Sequence, residues 1–156
     1  MPPFSHRVYG GDVCSYCGCQ SIEMIGRFMA EHEDIVNLAG DLRRTAVSGD
    51  AQAVSDALDS AVGHLQPHTG AEEKGLFTVL RRNPDFTDHI ATLCAEHDRL
   101  DELAEQIRGG HLELIDTFVH ELREHIDKEE NGLFPAAAIE MSGEDWDEAE
   151  TLTRAP

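Results

Sequence analysis

HTGAEEKGLF at residues 68–77 recurs 57 residues later as HIDKEENGLF at residues 125–134. Both segments follow the pattern His-x3-Glu-Glu-x-Gly-Leu-Phe. Upstream of each lies a histidine between acidic residues, His32 in Glu31-His32-Glu33 and His97 in Glu96-His97-Asp98. On a helix, residues four apart share a face, so each His-x3-Glu pair can direct an imidazole and a carboxylate at one point. The repeat therefore predicts a duplicated set of metal ligands around a dinuclear centre.

Apolar residues around these motifs recur at intervals of three and four, which predicts four long helices. The expected ranges are about 21–49, 50–82, 86–108 and 111–134. We expect Ser21 to cap the first helix, Pro67 to kink the second, and Pro135 to close or bend the fourth. Long helices joined by short connections predict an all-α fold, an antiparallel up-down four-helix bundle whose inward faces carry the repeated histidines and glutamates.

The chain has the length of one domain, 156 residues. We divide it into an irregular cysteine-containing arm at residues 1–20, the helical bundle at residues 21–138, and an acidic tail at residues 139–156. The arm contains five Gly or Pro residues and no lasting apolar period. In the tail, Ser142 is expected to start a short helix that docks Trp146 on the bundle.

The charge of the chain excludes several classes of partner. With 31 acidic and 12 basic residues, the net charge is −19, which would repel nucleic-acid phosphates and anionic lipid headgroups. No stretch approaches the roughly 20 apolar residues of a membrane span, and the N-terminus lacks the pattern of a secretion signal. We therefore expect a cytoplasmic protein with no nucleic-acid or membrane partner.

Two carboxylates on the predicted inward faces, Glu72 and Glu129, argue most strongly for a metal. An unpaired ion away from water costs several kcal/mol, and no basic residue shares the predicted inward faces with them. The alternative is an ordinary acidic bundle whose repeat reflects ancestry alone. Mixed imidazole and carboxylate donors favour iron, manganese or zinc over calcium, magnesium or copper(I). Two adjacent metals with open positions indicate iron and chemistry at the level of O2.

The order of these residues resembles the hemerythrin-like, or HHE cation-binding, family over roughly residues 21–138. The resemblance implies a four-helix bundle with a non-heme centre of two iron ions, bridged by an oxo or hydroxo group and by two carboxylates. The ligands that it implies are His32, His68, Glu72, His97, His125 and Glu129.

The third and fourth helices depart from the oxygen-carrying hemerythrins, which have His-x3-His and His-x4-Asp there. This chain has a lone His97 on the third helix and a His-x3-Glu pair on the fourth. It looks more like the bacterial HHE proteins. For those the resemblance implies binding, sensing or handling of O2, peroxide or nitric oxide, as in oxidative or nitrosative stress. Catalase-like removal of peroxide and storage or donation of iron are its other implications.

Other residues near the motifs have less certain roles. His64 and Glu121 lie one turn before the two His-x3-Glu pairs and are candidates for a seventh ligand; otherwise they support a ligand or lie at the surface. Glu73 and Glu130 are turned about 100° from the ligand stripe, so we expect them to accept hydrogen bonds from ligand imidazoles or to meet solvent. Cys94 is expected to be a small buried apolar residue or to line the pocket.

The arm carries a second motif, Cys14-x-x-Cys17-x-Cys19. Three thiolates so close together can chelate one soft metal or form a reversible disulfide that receives electrons from a reductant or protein partner. Inert thiols are the remaining alternative. In a cytosolic chain such a cluster more often binds metal or does redox work than forms a structural scaffold.

Overall fold

The computed structural model describes residues 22–156, and this part of the chain is all-helical, with no strand. Its five main helices are α1 (Glu23–Ser48), α2 (Ala51–Glu72), α3 (Pro84–Arg108), α4 (Ile115–Lys128) and α5 (Gly143–Arg154). The predicted cap Ser21 and the arm cysteines Cys14, Cys17 and Cys19 lie outside the described residues.

Both halves of the repeat contain the same backbone irregularity. α2 continues through a π-helical turn, Glu73–Phe77, into a short segment, Thr78–Leu80. α4 likewise continues through a π-helical turn, Glu129–Leu133, into a further helix, Phe134–Glu140. Single π turns occur mostly inside α-helices and often at functional sites. The sequence repeat is therefore also a repeat of backbone conformation.

The two prolines lie within continuous helical stretches. α2 remains helical across Pro67, although proline lacks the N–H that would bond the Gly63 carbonyl, and the helix becomes π-helical at Glu73–Phe77. The kink that the sequence predicts at Pro67 stays a prediction. Pro135 does not close the fourth helix, which continues to Glu140. Pro135 lies in the first turn after a π turn, and the first turn of a helical segment tolerates the missing N–H of proline.

Side-chain caps fix the start of three helices. The Asp50 carboxylate accepts hydrogen bonds from two backbone N–H groups at the start of α2. The side-chain oxygen of Asn83 accepts one hydrogen bond, from the Asp85 backbone N–H, at the start of α3. Pro84 takes the first helical position, so this helix begins two residues before the expected Phe86. Ser142 and Asp145 form a reciprocal capping box at α5, which is the short C-terminal helix that the sequence predicts.

Polar contacts between helices pair rising residue numbers on one helix with falling numbers on its neighbour. Between α1 and the fourth helix, His32 contacts Glu130 and Arg43 contacts Asp116. Between α3 and α4, Glu96 contacts Lys128, and Arg99, three residues later, contacts Glu121 further towards the start of α4. Such pairing is expected of helices that run in opposite directions.

Two apolar clusters fill the interior, and buried histidines and glutamates lie between them. One cluster is centred on Leu42, Leu103 and Phe118, and the other on Phe28 and Phe134. The polar layer therefore has apolar packing on both sides, which holds its side chains away from bulk water.

α5 covers the outer side of the second helix. Ala149 is fully buried there. Trp146 packs against the apolar cluster that contains Phe28 and Phe134, as the sequence predicts. A Cβ added to Gly75 would lie 2.2 Å from Thr153 Oγ1 and 2.8 Å from the Ala149 carbonyl oxygen. Gly75 thus allows the close approach of α5.

Within residues 22–156, no helix combines the length and the apolar character that crossing a membrane requires.

Candidate metal centre

The interior layer consists of six donor side chains that are almost completely buried. Their exposed fractions lie between 0 and 4% for His32, His68, Glu72, His97, His125 and Glu129. These are the six residues that the sequence singles out, and the structure brings them together. Their donor atoms form two overlapping groups, each within 4.8 Å: one of His32, His68, Glu72 and Glu129, and one of Glu72, His97, His125 and Glu129.

Glu72 and Glu129 belong to both groups, and each directs one carboxylate oxygen to each side. Glu72 Oε1 lies 3.0 Å from His68 Nε2, and Glu72 Oε2 lies 3.3 Å from His97 Nε2. Glu129 Oε2 lies 3.1 Å from His32 Nε2, and Glu129 Oε1 lies 3.1 Å from His125 Nε2. The two carboxylates thus lie between the two pairs of imidazoles.

Six of the eight inward-facing donor atoms lack a hydrogen-bond partner among the described residues. His32 Nε2, His68 Nε2 and all four carboxylate oxygens of Glu72 and Glu129 are buried and unpaired, because their close contacts do not have the direction of a hydrogen bond. His97 Nε2 and His125 Nε2 contact each other at 3.0 Å. A buried polar atom without a partner costs about 1–3 kcal/mol. Bound cations would satisfy these atoms at once, so the residues present fit a metal.

The outward-facing Nδ1 atom of each histidine, by contrast, has a carboxylate partner. In the first group, His68 Nδ1 lies 2.6 Å from Glu31 and His32 Nδ1 lies 2.9 Å from Glu130. An Nδ1–H that donates to a carboxylate fixes the tautomer and the ring orientation, which leaves the Nε2 lone pair for a metal. Glu130 therefore has the role that the sequence predicts for it.

The second group repeats this arrangement. His97 Nδ1 lies 2.7 Å from Glu73, as predicted, and His125 Nδ1 lies 2.8 Å from Glu96. Sequence reasoning missed Glu31 and Glu96 as partners. A signal was present, because each of them directly precedes the lone histidine of its half. In each half, the glutamate before the lone histidine holds the imidazole of the His-x3-Glu pair.

The buried charges shift one another's pKa values. Burial by itself lowers the pKa of His97, but close contacts with the carboxylates of Glu129 and Glu72 outweigh burial and raise this pKa to about 11. Burial and the charge of Glu72 raise the pKa of Glu129, but close contacts with the imidazoles of His125 and His32 outweigh them and lower it to about 2. Without a cation, the centre therefore holds protons on imidazoles beside ionised carboxylates. A metal that binds there must displace protons.

Aromatic rings of the repeat pack against the imidazoles. Phe77 stacks on His97 with ring centroids 5.7 Å apart, and Phe134, its equivalent in the second half, stacks on His32 at 5.8 Å. Both phenylalanines are completely buried. They restrict ring rotation and exclude water from the donor atoms.

The candidates for a seventh ligand lie outside both donor groups. His64 is exposed, and its Nδ1 contacts the Ser60 carbonyl oxygen at 2.9 Å. Glu121 accepts a hydrogen bond from Arg99 at 3.3 Å. A four-residue step turns a side chain by about 40° around the helix axis, which is one reason why His64 can be exposed while His68 is buried.

Cys94 is half-buried and is the one free cysteine of the described part of the chain. Its Sγ lies 3.7 Å from Arg81 Nη2, and burial raises the pKa of its thiol. It belongs to neither donor group among residues 22–156.

The family model for the hemerythrin HHE cation-binding domain matches residues 23–137. The chain belongs to this family. The HHE domain so defined holds all six buried donors and both π turns, and it confirms the resemblance that the sequence shows. Comparison with curated proteins and with solved structures gave no match. The interior of the HHE domain has buried histidine and glutamate groups suited to a metal cation, in agreement with the family.

Proposed function

We propose that this HHE protein is a non-heme di-iron protein that binds, senses or reacts with O2, peroxide or nitric oxide. We further propose that its helices form the antiparallel up-down four-helix bundle that the sequence predicts. The observation that carries the proposal is the sharing of Glu72 and Glu129 by two donor groups. Two groups with common carboxylates suit a pair of adjacent cations that the carboxylates bridge.

In this proposal, His32 and His68 would hold one iron, and His97 and His125 would hold the other. Glu72 and Glu129 would contribute to both sites, because they belong to both donor groups. Combinations of histidine and carboxylate with positions left open are typical of non-heme iron that reacts with O2. When bound, the iron pair supplies one-electron redox chemistry and open positions for a small ligand.

The chain's own residues select the ligand and keep the donors in place. The carboxylates of Glu31, Glu73, Glu96 and Glu130 hold the four imidazoles by their Nδ1 atoms. The buried rings of Phe77 and Phe134 flank the donors and favour small, weakly polar ligands over bulky ones.

Complete burial of the donors favours a protein that retains its metal. Ligands that are at most 4% exposed give a chelator little access, so ready donation of iron is the less favoured function. Catalase-like removal of peroxide uses the same donors as reversible binding, and kinetics must separate the two.

We also propose, from the charge and the cysteine pattern, that the protein works in the cytoplasm without nucleic-acid or membrane partners. Its electrons would come from a reductant or protein partner through Cys14, Cys17 and Cys19. Replacing all three cysteines by serine should leave the absorption spectrum of the iron centre unchanged and slow its reduction. An unchanged reduction rate would remove this part of the proposal.

The test is the metal content of protein purified without added metal, followed by absorption spectra before and after addition of peroxide or nitric oxide. We expect about two irons per chain and charge-transfer bands that respond to these ligands. Reversible spectral change indicates binding or sensing, whereas many equivalents of peroxide consumed indicate an enzyme. Protein that holds no iron and takes up none under anaerobic ferrous loading would contradict the proposal.

A further inference from the structure

The outer side of the second helix is covered by α5, which packs on the π turn Glu73–Phe77 and on Thr78–Leu80. Gly75 lies in this contact, where an added Cβ would be 2.2 Å from a side-chain oxygen of α5. Val79 is buried, and both Arg82 terminal nitrogens donate to the Glu148 carboxylate of α5, at 2.6 and 2.7 Å. Gly75 and Val79 thus mark a covered helix face, and Arg82, just beyond the end of the helix at Leu80, is joined to α5 by its ion pair.

The repeat predicts an equivalent face on the fourth helix. The residues that follow Gly75, Val79 and Arg82 at the interval of 57 are Gly132, Ala136 and Ile139. Their spacings of four and three place them on one side of the helix. An added Cβ at Gly132 would meet no atom of residues 22–156 within 4 Å, and Ile139 is 88% exposed. We call this surface the Gly132 face; among the described residues nothing covers it as α5 covers its equivalent.

We propose that residues 1–21 of the same chain dock on the Gly132 face. The first argument is the place where this segment joins the described chain. Phe28 of α1 stacks on Phe134 with ring centroids 6.3 Å apart, and Ile22 packs on the same apolar cluster as Ala138. Ile22 precedes Phe28 by six residues, so the segment joins α1 level with the end of the fourth helix, the helix that carries the Gly132 face.

The length of the segment is sufficient. From the level of Glu140 back to Gly132 is eight residues of helix, or roughly 12 Å along the axis. A chain of 21 residues can extend up to about 70 Å. Even the part from Cys14 to Ile22 is long enough to reach Gly132.

Charge favours this occupant over a second copy of the chain. Residues 1–21 contain one basic side chain, Arg7, and one acidic side chain, Asp12, so the net charge of −19 resides entirely in residues 22–156. Two copies of that acidic body would repel each other, whereas the uncharged segment would not be repelled. The segment also offers apolar side chains for an exposed isoleucine, namely Phe4, Val8, Tyr9, Val13 and Tyr16.

Docking has a consequence for the candidate metal centre. Gly132 follows Glu130 by two residues, and Glu130 holds the imidazole of His32. A docked segment would place its thiols near the outer end of this carboxylate link. Four glutamates hold the four imidazoles by their Nδ1 atoms. Of these, Glu130 would then lie next to the cysteines.

The test is cross-linking in the full chain carrying Gly132→Cys. Under mild oxidation with oxidised glutathione, we expect an intramolecular disulfide between position 132 and Cys14, Cys17 or Cys19, mapped by mass spectrometry of the non-reduced digest. Ala30→Cys is the matched control, since Ala30 is exposed and lies eight residues beyond Ile22 on α1. We expect at least tenfold less disulfide there. Equal yields at both positions, no disulfide, or a disulfide between two chains would overturn the proposal.

A second variant avoids any new thiol. Ile139→Asp should release the segment and raise the rate at which iodoacetamide alkylates Cys14, Cys17 and Cys19 several-fold. Val47→Asp is the control, since Val47 is also 88% exposed but lies at the opposite end of α1. Unchanged alkylation in Ile139→Asp would count against docking, whatever the state of the metal centre.

Discussion

The two halves of the repeat are alike on the inside and different on the outside. Both halves place a lone histidine, a His-x3-Glu pair, a π turn and a buried phenylalanine around the centre. Outside, α5 covers Gly75, whereas no atom of residues 22–156 lies within 4 Å of a Cβ added to Gly132. Lys128 contacts Glu96 in the second half, and the equivalent of Lys128 in the first half is Ala71. The donors require a symmetric interior, while each outer face is free to take its own partner.

The largest effect should come from the carboxylates that both halves share. Glu72→Ala should lose both metal equivalents, because Glu72 contributes an oxygen to each donor group. His68→Ala should weaken the group with His32 and leave about one metal per chain. Metal analysis of each purified variant measures the difference.

His111→Ala is the control for this pair, since His111 is exposed and contacts only Glu113 among the described side chains. It should keep both metals. If Glu72→Ala and His68→Ala both retained full metal, neither residue would be a ligand and the two-group description would fail.

The two glycines of the repeat give a matched pair for stability. Gly75→Ala should destabilise the protein by about 1–3 kcal/mol, because the new Cβ meets the backbone and side chains of α5. Gly132→Ala should stabilise it by up to about 1 kcal/mol, because alanine favours a helix and no atom of the described residues lies within 4 Å of the new Cβ. Urea unfolding of both variants tests this contrast, and equal changes in free energy would show that α5 does not pack on Gly75 in solution.

Glu31 and Glu96, which contact the Nδ1 atoms of His68 and His125, should contribute unequally to metal affinity in the two halves. Glu31→Gln should lower metal affinity by roughly 10–100-fold, the usual cost of losing such a partner. Glu96→Gln should cost less, because Lys128 already neutralises part of the charge that Glu96 offers to His125. Zinc titration of the metal-free variants measures both affinities. A greater loss in Glu96→Gln would reverse this ranking of the two halves.

The smallest predicted effect is a pH dependence of the metal-free protein. The folded-state pKa of Glu129 is lowered from 4.5 to about 2, so its contribution to stability is present above pH 4.5 and is lost as the pH falls towards 2. The raised pKa of His97 has the opposite sign, since its contribution is complete below pH 6.5 and is lost as the pH rises towards 11.

Thermal unfolding of metal-free protein between pH 5 and pH 2 should therefore show a falling midpoint, and the slope should be shallower in Glu129→Gln. The same slope in both proteins would show that Glu129 does not ionise as the buried geometry requires.

The sequence predicts the six buried donors because they recur, and a coincidence of four histidines and two glutamates on inward faces is improbable. It also predicts the hydrogen bonds of Glu73 and Glu130, since residues beside a ligand point about 100° away from it. The sequence does not single out Glu31 and Glu96, because the chain has many acidic residues and these two do not differ from the others in type. Their one distinguishing feature is that each directly precedes a lone histidine.

Other features depend on tertiary contacts that a periodic pattern does not contain. A π turn changes the hydrogen-bond partners of a few residues and leaves the apolar spacing almost unchanged, so neither turn was predicted. The tail helix was predicted from its Ser142 cap, but its close approach to Gly75 was not, because that glycine belongs to the repeated motif and gave no separate signal.

The most direct test of the central claim is anaerobic titration of the metal-free protein with ferrous iron. The account predicts that binding saturates at about two irons per chain, because Glu72 and Glu129 each serve two donor groups. In Glu72→Ala the same titration should show almost no tight binding. Saturation at one iron per chain, or tight binding of two irons in Glu72→Ala, would contradict a centre built on shared carboxylates.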